Sequence, residues 1–275
     1  MSTMNQALAN AQGARVPAGF SGASTAAVKQ TFLHSIVYGE TDRQKTRTSA
    51  KFRGPEHTFI LLAVAPEQLA SINGENYHYA RLQNAIHVRW ALTNPEAAAD
   101  AAGFPEWKTD PERCLVVDDM SEGVQMLVED NETDDNGKER DGRKVYGDVN
   151  SEVRVIVNAL KRRQMHLILI AGAKVATSGV ANEETVRPDF PDGAYRILSK
   201  EMEHCFYLQE NGKILTQPSS LQFKKKDERG KEVLGLRKVF AKNKPSEQAT
   251  AKPVLLKEEP LDLGAVWEKI RTVAK

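Results

Sequence analysis

Runs of consecutive apolar residues recur along the chain and predict strands that are buried on both faces. Such runs are typical of parallel strands that are covered by helices on either side. The segments between them carry the polar positions and caps of helices, so the order predicts an α/β core with a mainly parallel sheet flanked by helices. The four runs are Phe32–Tyr38, His57–Val64, Cys114–Asp118 and Met165–Ala171.

The stretches between and after these strands predict further elements. A short helix is expected over residues 45–52, and Ile86–Ala91 alternates between apolar and polar positions, which predicts a strand. Lys174–Asp192 is polar and contains Gly and Pro, which predicts an irregular segment. Cys205–Leu208 predicts a strand at the beginning of a β-rich C-terminal third.

The two ends of the chain differ in composition from the middle. Residues 1–28 are rich in Ala, Gly, Ser, Gln and Asn without an apolar period, which predicts a disordered arm. We expect the folded domain to cover residues 29–244 and a linker to follow over residues 245–260. Apolar residues spaced along residues 261–275 predict a terminal helix that docks on the core or on a partner.

The composition is that of an ordinary globular protein, with 40% hydrophobic and 27% charged residues among 275. The longest uncharged apolar run, Leu167–Ala173, is far shorter than the roughly 18 residues of a membrane span. The N-terminal segment also lacks the apolar stretch of a signal peptide. We therefore expect a cytoplasmic protein that does not enter a membrane. Cys114 and Cys205 lie in predicted strands, which favours reduced core thiols over a disulfide.

Positive charge is concentrated near the C-terminal end of the predicted core. The formal net charge of the whole chain is only +1, yet residues 223–244 contain nine basic and three acidic residues among interleaved apolar ones. This pattern predicts a strand pair with a basic face, which suits a phosphate-rich partner. The alternative is an edge strand whose lysines prevent pairing with other chains.

The turn after the first predicted strand has the spacing of a phosphate-binding loop. It matches G-x-x-x-x-G-K-[ST] except that Gln44 replaces the second glycine. In such loops backbone N–H groups surround the phosphates, the lysine neutralises phosphate oxygens, and the hydroxyl completes the coordination of Mg²⁺. Lys45 and Thr46 are therefore the candidate contact residues. The candidate loop consists of Gly39, Glu40, Thr41, Asp42, Arg43, Gln44, Lys45 and Thr46.

Acidic residues after two other predicted strands could complete this site. Asp118 ends the strand that begins at Cys114, which is the usual place of the carboxylate that holds Mg²⁺ or its water. Asp119 and Glu67 are candidates for orienting an attacking water. The alternative for Asp118 and Asp119 is favourable charge at the N-terminus of the next helix, and Glu67 could be an ordinary helix-start glutamate after Pro66.

Taken together, these segments resemble the RecA-like P-loop ATPases of phages, the AAA-type nucleotide-binding proteins that include single-strand annealing ATPases. The resemblance covers about residues 31–244. It is carried by the segments His34–Gly39 with Lys45-Thr46, Thr58–Leu62, Cys114–Asp119, Met165–Ile170, Arg187–Asp192 and Leu236–Lys244.

The resemblance implies a RecA-like core that binds ATP with Mg²⁺ and acts in phage DNA recombination or replication, in the host cytoplasm. Mg²⁺ would lie between Thr46 and Asp118, while Asp119 or Glu67 would position water. Arg237, Lys242 or Lys244 would stabilise the transferred charge, and the resemblance also implies single-stranded DNA and further copies of the chain as partners.

The chain departs from the pattern of that family at two loop positions and after the fourth strand. Gln44 places a side chain where glycine is usual, and Asp42 adds a carboxylate to a loop that binds anions. After the fourth strand, Ala171-Gly172-Ala173 stands where a polar sensor is usual, with Lys174 the nearest polar group. These departures favour nucleotide binding, with weak or DNA-stimulated hydrolysis, over fast hydrolysis.

Two other functions remain compatible with the sequence. In one, the P-loop fold has lost catalysis and serves as a binding or assembly module. In the other, the basic stretch Lys224–Lys244 binds nucleic acid without any nucleotide.

Overall fold

A mainly parallel sheet forms the centre of the molecule, which the computed structural model describes over residues 32–134, 136–177, 184–226, 232–243 and 257–273. The parallel strands run in the spatial order His204–Leu208 (β8), His34–Tyr38 (β1), His166–Ala171 (β5), Cys114–Asp118 (β4), Thr58–Leu62 (β2) and His78–Arg81 (β3). Three short antiparallel strands extend the sheet beyond β8: Lys213–Leu215 (β9), Lys242–Asn243 (β12) and Glu258–Pro260 (β13).

A smaller sheet follows the end of β5 in the chain. It consists of Ala173–Thr177 (β6), Glu184–Pro188 (β7), Ser219–Lys226 (β10) and Glu232–Val239 (β11), in the order β10-β11-β7-β6. The pairs β10–β11 and β6–β7 are antiparallel, whereas β11 and β7 are parallel. The basic stretch of the sequence therefore lies largely on the β10–β11 pair.

Helices cover both faces of the main sheet. They are Lys45–Ala50 (α1), Ala85–Thr93 (α2), Pro95–Ala101 (α3), Met120–Asn131 (α4), Gly142–Lys161 (α5), Asp192–Glu201 (α6) and Leu263–Val273 (α7), and Pro66–Ile72 and Pro105–Thr109 are 3₁₀ helices.

The core is divided by the sheet into two layers, because successive strand residues point to opposite faces. Phe59 and Leu61 of β2 pack with α2–α6, whereas Ile60 packs with α1 and α7. Every residue of β1, β2, β4 and β5 is buried, which is the burial expected for parallel strands between two helical layers. The predicted fold class, a mainly parallel sheet flanked by helices with a β-rich C-terminal edge and a terminal helix, is confirmed.

Several predictions about individual segments are wrong. Ile86–Ala91 belongs to helix α2 rather than to a strand, and Lys174–Asp192 contains most of the β6–β7 hairpin rather than irregular structure alone. Residues 258–260, within the expected linker, form β13 and pair with β9. The expected disordered arm, residues 1–28, lies outside the described residues, as does Lys244.

The prediction for the two cysteines agrees with the structure. Cys114 and Cys205 are buried free thiols. Among the helices of the described residues, none has both the length and the apolar surface that a membrane span requires.

Candidate functional site

The candidate loop connects β1 to α1 at the carboxyl edge of the main sheet, where ligands of open α/β sheets bind. Glycine is favoured at its start, because a Cβ added to Gly39 would lie 3.0 Å from the carbonyl oxygen of Leu208, closer than an ordinary van der Waals contact. Asp42 (φ 64°) and Gln44 (φ 56°) both have left-handed backbone conformations, which glycine adopts most readily. The loop thus keeps a curvature suited to glycine although two of its positions carry side chains.

Lys45 folds back over this loop. Its Nζ donates hydrogen bonds to the carbonyl oxygens of Gly39 (3.1 Å) and Glu40 (2.9 Å). Burial lowers the pKa of Lys45, while the carboxylates of Asp119 and Asp118 act in the opposite direction. The ammonium group is therefore held at the mouth of the loop, partly removed from water, where an anion would interact with it strongly.

Thr46 and Asp118 meet although 72 residues separate them in the chain. The Thr46 hydroxyl donates a hydrogen bond of 2.6 Å to Asp118 Oδ2, and Asp118 is only 3% exposed. Burial raises the pKa of Asp118, and the hydrogen bond from Thr46 and the charge of Lys45 oppose that shift. A hydroxyl and a carboxylate beside a bound phosphate are the hard oxygen ligands that suit Mg²⁺.

Asp119 follows at the beginning of α4 and lines the same cleft. Its side chain accepts a hydrogen bond of 2.6 Å from the backbone N–H of Ser121, so Asp119 caps the helix. This position agrees with the alternative that the charge of Asp119 lies at the N-terminus of the next helix. Burial raises the pKa of Asp119 to about 6, and its hydrogen bonds with Ser121 oppose the shift. The carboxylate can therefore both cap α4 and interact with a ligand in the cleft.

The loop, the end of β4 and the beginning of β6 enclose a cleft of about 610 Å³, a size typical of small-molecule sites. Its walls carry more acidic than basic side chains, so a triphosphate would require a divalent cation to enter it. The acidic residues are Glu40, Asp42, Asp118, Asp119, Glu122 and Asp189, and the basic ones are Arg43 and Lys45.

Four polar residues of the cleft wall were not predicted from the sequence: Gln68, Ser71, Glu122 and Asp189. Glu122 lies in the first turn of α4, one turn after the strand-end carboxylates, and its position relative to Asp119 could have identified it. Asp189 follows β7 and reaches the cleft through a backbone hydrogen bond of 2.9 Å to the carbonyl oxygen of Gly172. No local sequence pattern indicates that contact.

Arg43 holds the loop against the neighbouring hairpin. Its guanidinium contacts Glu40 at 3.0 Å and Glu210, in the β8–β9 turn, at 3.6 Å. The positive charge of Arg43 is therefore shared between Glu40 and Glu210.

Glu67 does not reach Lys45 or Asp118. It lies near the beginning of the first 3₁₀ helix and lines a separate cavity of about 350 Å³ together with Tyr77 and Tyr79. The neighbouring Gln68 lines the phosphate cleft instead. Glu67 therefore has the helix-start position that was its alternative, and the structure does not bring it into the candidate site.

Arg237 and Lys242 also lie outside the cleft of their own molecule. Arg237 donates a hydrogen bond of 2.6 Å to Glu184 of β7. Lys242 pairs in register with Cys205 near the beginning of β8, and its Nζ donates to the carbonyl oxygens of Ser199 and Met202 at the end of α6. Since β8 is parallel to β1, Lys242 lies at the edge of the sheet opposite the loop.

No family model matches the chain, and no curated protein matches it. Among solved structures, the chain is similar to a KaiC-like protein from the hyperthermophilic archaeon Pyrococcus horikoshii, with 12% sequence identity and a TM-score of 0.38. The superposition covers 76% of this chain and 92% of that chain. The strand order and the position of the loop, rather than this likeness, define the fold.

Proposed function

We propose that the chain binds ATP with Mg²⁺ in the cleft at the end of β1. The observation that carries the proposal is the 2.6 Å hydrogen bond from Thr46 to the buried Asp118, beside the ammonium group of Lys45. A lysine, a hydroxyl and a strand-end carboxylate are the three side chains that P-loop proteins use for phosphate and Mg²⁺. Here they come from the beginning of α1 and the end of β4, which the parallel sheet brings together.

The residues have distinct roles in this proposal. Lys45 exchanges its backbone carbonyl partners for phosphate oxygens, and Thr46 with Asp118 holds Mg²⁺, which supplies further positive charge at the phosphates. The Asp119 carboxylate lines the same cleft and would orient a water there. Glu67 has no part in this mechanism, because it lines a different cavity.

The lysine is tested by calorimetry with MgATP on the wild type, Lys45→Ala and Lys213→Ala. Lys213 is half-exposed on β9, pairs with Glu258 at 3.1 Å and provides a matched loss of one positive charge. We expect Lys45→Ala to lower the affinity at least about tenfold and Lys213→Ala to leave it unchanged. Equal affinities for the wild type and Lys45→Ala would remove the phosphate-loop assignment.

The Mg²⁺ ligands are tested by Thr46→Ser, which keeps the hydroxyl, and Thr46→Val, which removes it without a change in shape. We expect Thr46→Ser to retain the gain in ATP affinity that Mg²⁺ produces and Thr46→Val to lose most of it. If Mg²⁺ raises the ATP affinity of Thr46→Val as much as that of the wild type, Thr46 is not a ligand of Mg²⁺.

The second candidate function is a P-loop fold that has lost catalysis and serves in binding or assembly. The left-handed Asp42 and Gln44, together with the acidic walls of the cleft, favour this alternative. Phosphate release from ATP, measured with and without single-stranded DNA, separates the two functions. Release above the rate of the Lys45→Ala protein supports an ATPase, and tight binding without release supports the silent module.

The DNA part of the proposal rests on the phage recombination ATPases that the sequence resembles and on the basic stretch, most of which lies on the paired strands β10 and β11. Single-stranded DNA would contact this sheet, and a neighbouring copy of the chain would supply the cation that Arg237 and Lys242 do not supply within one molecule. A steep loss of DNA affinity with added salt is the expected signature of phosphate contacts. A shallow salt dependence would contradict it.

A further inference from the structure

A second cavity, of about 290 Å³, lies beside the phosphate cleft. It is bounded by one face of α1 and by the segment 261–263 that leads into α7. Gln44 lines both cavities, so they adjoin at the residue that precedes Lys45. A ligand bound at the loop can extend directly into this second space.

The face of α1 that lines this cavity determines how far such a ligand can extend. Gln44, Arg47 and Lys51 recur at helical spacing on the face that lines the cavity. At 1.5 Å of rise per residue, the seven residues from Gln44 to Lys51 correspond to about 10 Å along the helix. This length suits the part of a nucleoside triphosphate that follows the phosphates, namely the ribose and the base.

The side chains of the cavity suit a flat heterocycle. Leu261 is half-buried and forms an apolar wall with the buried Phe52 and Leu263. Arg47 also lines the cavity and is exposed, so its planar guanidinium can stack on a ring. The exposed Asp262 can accept a hydrogen bond from an exocyclic amino group, and its Oδ1 is oriented by the backbone N–H of Ala265 at 3.0 Å.

The wall formed by the C-terminal segment is firmly anchored to the core. Leu263 and Trp267 are 2% and 1% exposed and belong to the same apolar cluster as Phe52. Glu259, which is 1% exposed, pairs with Lys269 of α7 at 2.6 Å. The cavity therefore has two fixed sides, one from α1 and one from the segment before α7.

We propose that this cavity binds the ribose and the purine base of the nucleotide whose phosphates occupy the neighbouring loop. This inference rests on the proposed function and names the nucleoside-binding part of the same site. It assigns a ligand-binding role to the C-terminal segment, which the sequence had suggested only as a linker and a docked helix. Arg47 and Leu261 are the principal contacts.

The test compares two ligands, MgATP and magnesium tripolyphosphate, by calorimetry on the wild type, Leu261→Trp and Arg47→Ala. A tryptophan at position 261 fills the cavity, whereas Ala265→Trp places the same side chain on an exposed part of α7 and is the matched control. We expect Leu261→Trp to weaken MgATP binding at least about tenfold and Arg47→Ala to weaken it about threefold or more. Tripolyphosphate affinity should remain within about twofold in every variant, and Ala265→Trp should match the wild type.

The outcomes separate this inference from the proposed function. If the wild type binds neither ligand, the proposed function fails. If it binds MgATP and tripolyphosphate equally well, or if neither Leu261→Trp nor Arg47→Ala affects MgATP, the nucleoside pocket is wrong while the phosphate site stands. Ser71 lines the phosphate cleft, so Ser71→Trp is measured with both ligands. Loss of MgATP affinity with normal tripolyphosphate affinity in Ser71→Trp, together with normal MgATP affinity in Leu261→Trp, would place the base beside the first 3₁₀ helix and would likewise overturn the inference.

Discussion

Gln44 has a left-handed backbone conformation (φ 56°, ψ 28°) that residues with a Cβ adopt at a cost of about 1–2 kcal/mol. Gln44→Gly removes that cost, but it raises the conformational entropy of the unfolded chain, which lowers stability by about 0.4–1 kcal/mol. We expect a net increase of roughly 0.5 kcal/mol in the free energy of unfolding, measured by urea titration. We also expect tighter MgATP binding, because the loop backbone becomes free to approach the phosphates.

The control for this prediction is Gln44→Asn, since asparagine tolerates the left-handed conformation better than glutamine but keeps a Cβ. Its stability should lie between those of the wild type and Gln44→Gly. A Gln44→Gly protein that is less stable than the wild type would show that the Gln44 side chain stabilises the loop by more than its backbone conformation costs.

His166 makes stability depend on pH below neutrality. Burial lowers the pKa of His166 to about 3, and the charge of Arg53 acts in the same direction. An unfolded histidine has a pKa of about 6.5, so the unfolded chain binds more protons as the pH falls from 6.5 toward 3, and stability is lost in that range. From pH 7 to pH 5 this one residue should reduce the free energy of unfolding by about 2 kcal/mol.

His166→Asn tests this dependence, because the asparagine oxygen can still accept the hydrogen bond that Leu33 N–H donates to His166 Nδ1 at 2.9 Å. The variant should be less stable than the wild type at pH 7 but should lose about 2 kcal/mol less between pH 7 and pH 5. Urea unfolding at the two pH values gives both numbers. Equal losses in the two proteins would mean that His166 is protonated in the folded state as readily as in the unfolded chain.

Helix α2 shows why one element could not be assigned from alternation alone. Ile86, Val88 and Trp90 alternate with polar residues as in a strand, yet Ile86 and Trp90 are 68% and 48% exposed. The buried residues follow a helical period and are Ala85, Val88, Ala91 and Leu92. Asn84, whose side chain accepts a hydrogen bond from His87 N–H at 3.0 Å, was the local sign of a helix start.

The candidate site was predictable where it depends on strand ends and on the spacing of one loop, and not where it depends on contacts between segments that are distant in the chain. Lys45, Thr46 and Asp118 follow or end buried strands, and parallel pairing brings such residues to one edge. Glu67 also follows a strand, but the 3₁₀ helix that begins at Pro66 directs it into another cavity. Asp189 reaches the cleft only because the small sheet folds back on Gly172, a contact that no local pattern indicates.

The attachment of α7 should depend on Lys269. Its Nζ pairs at 2.6 Å with Glu259, whose side chain is 1% exposed. Because Lys269→Met leaves a buried carboxylate without this partner, we expect the free energy of unfolding to fall by about 3 kcal/mol in urea titrations. Arg271→Met is the matched control on the same helix, because Glu268, the partner of Arg271, is half-exposed. Arg271→Met should lower the free energy of unfolding by less than about 1 kcal/mol. Equal costs would show that burial of Glu259 does not strengthen its pairing with Lys269.

The two sheets of the molecule meet at the edge of the phosphate cleft. The hydroxyl of Tyr38, at the end of β1, donates to the carbonyl oxygen of Phe240 and lies 3.3 Å from that of Val186 in β7. Lys174 of β6 contacts Asp189 at 3.3 Å, and Asp189 lines the cleft. A ligand that moves the small sheet would therefore move one wall of the cleft.

This connection gives a prediction for the whole molecule. Tyr38 is fully buried and does not line the cleft, so Tyr38→Phe should leave MgATP affinity within about twofold of the wild type and cost about 1 kcal/mol of stability. If DNA on the small sheet stimulates hydrolysis through this contact, the variant should lose most of the increase in phosphate release that single-stranded DNA produces.

Tyr79→Phe, at an exposed position, controls for the loss of a phenol hydroxyl and should keep the stimulation. Full stimulation in Tyr38→Phe would show that the Tyr38 contact does not transmit it, and a wild type that DNA does not stimulate would remove the DNA-dependent part of the proposed function.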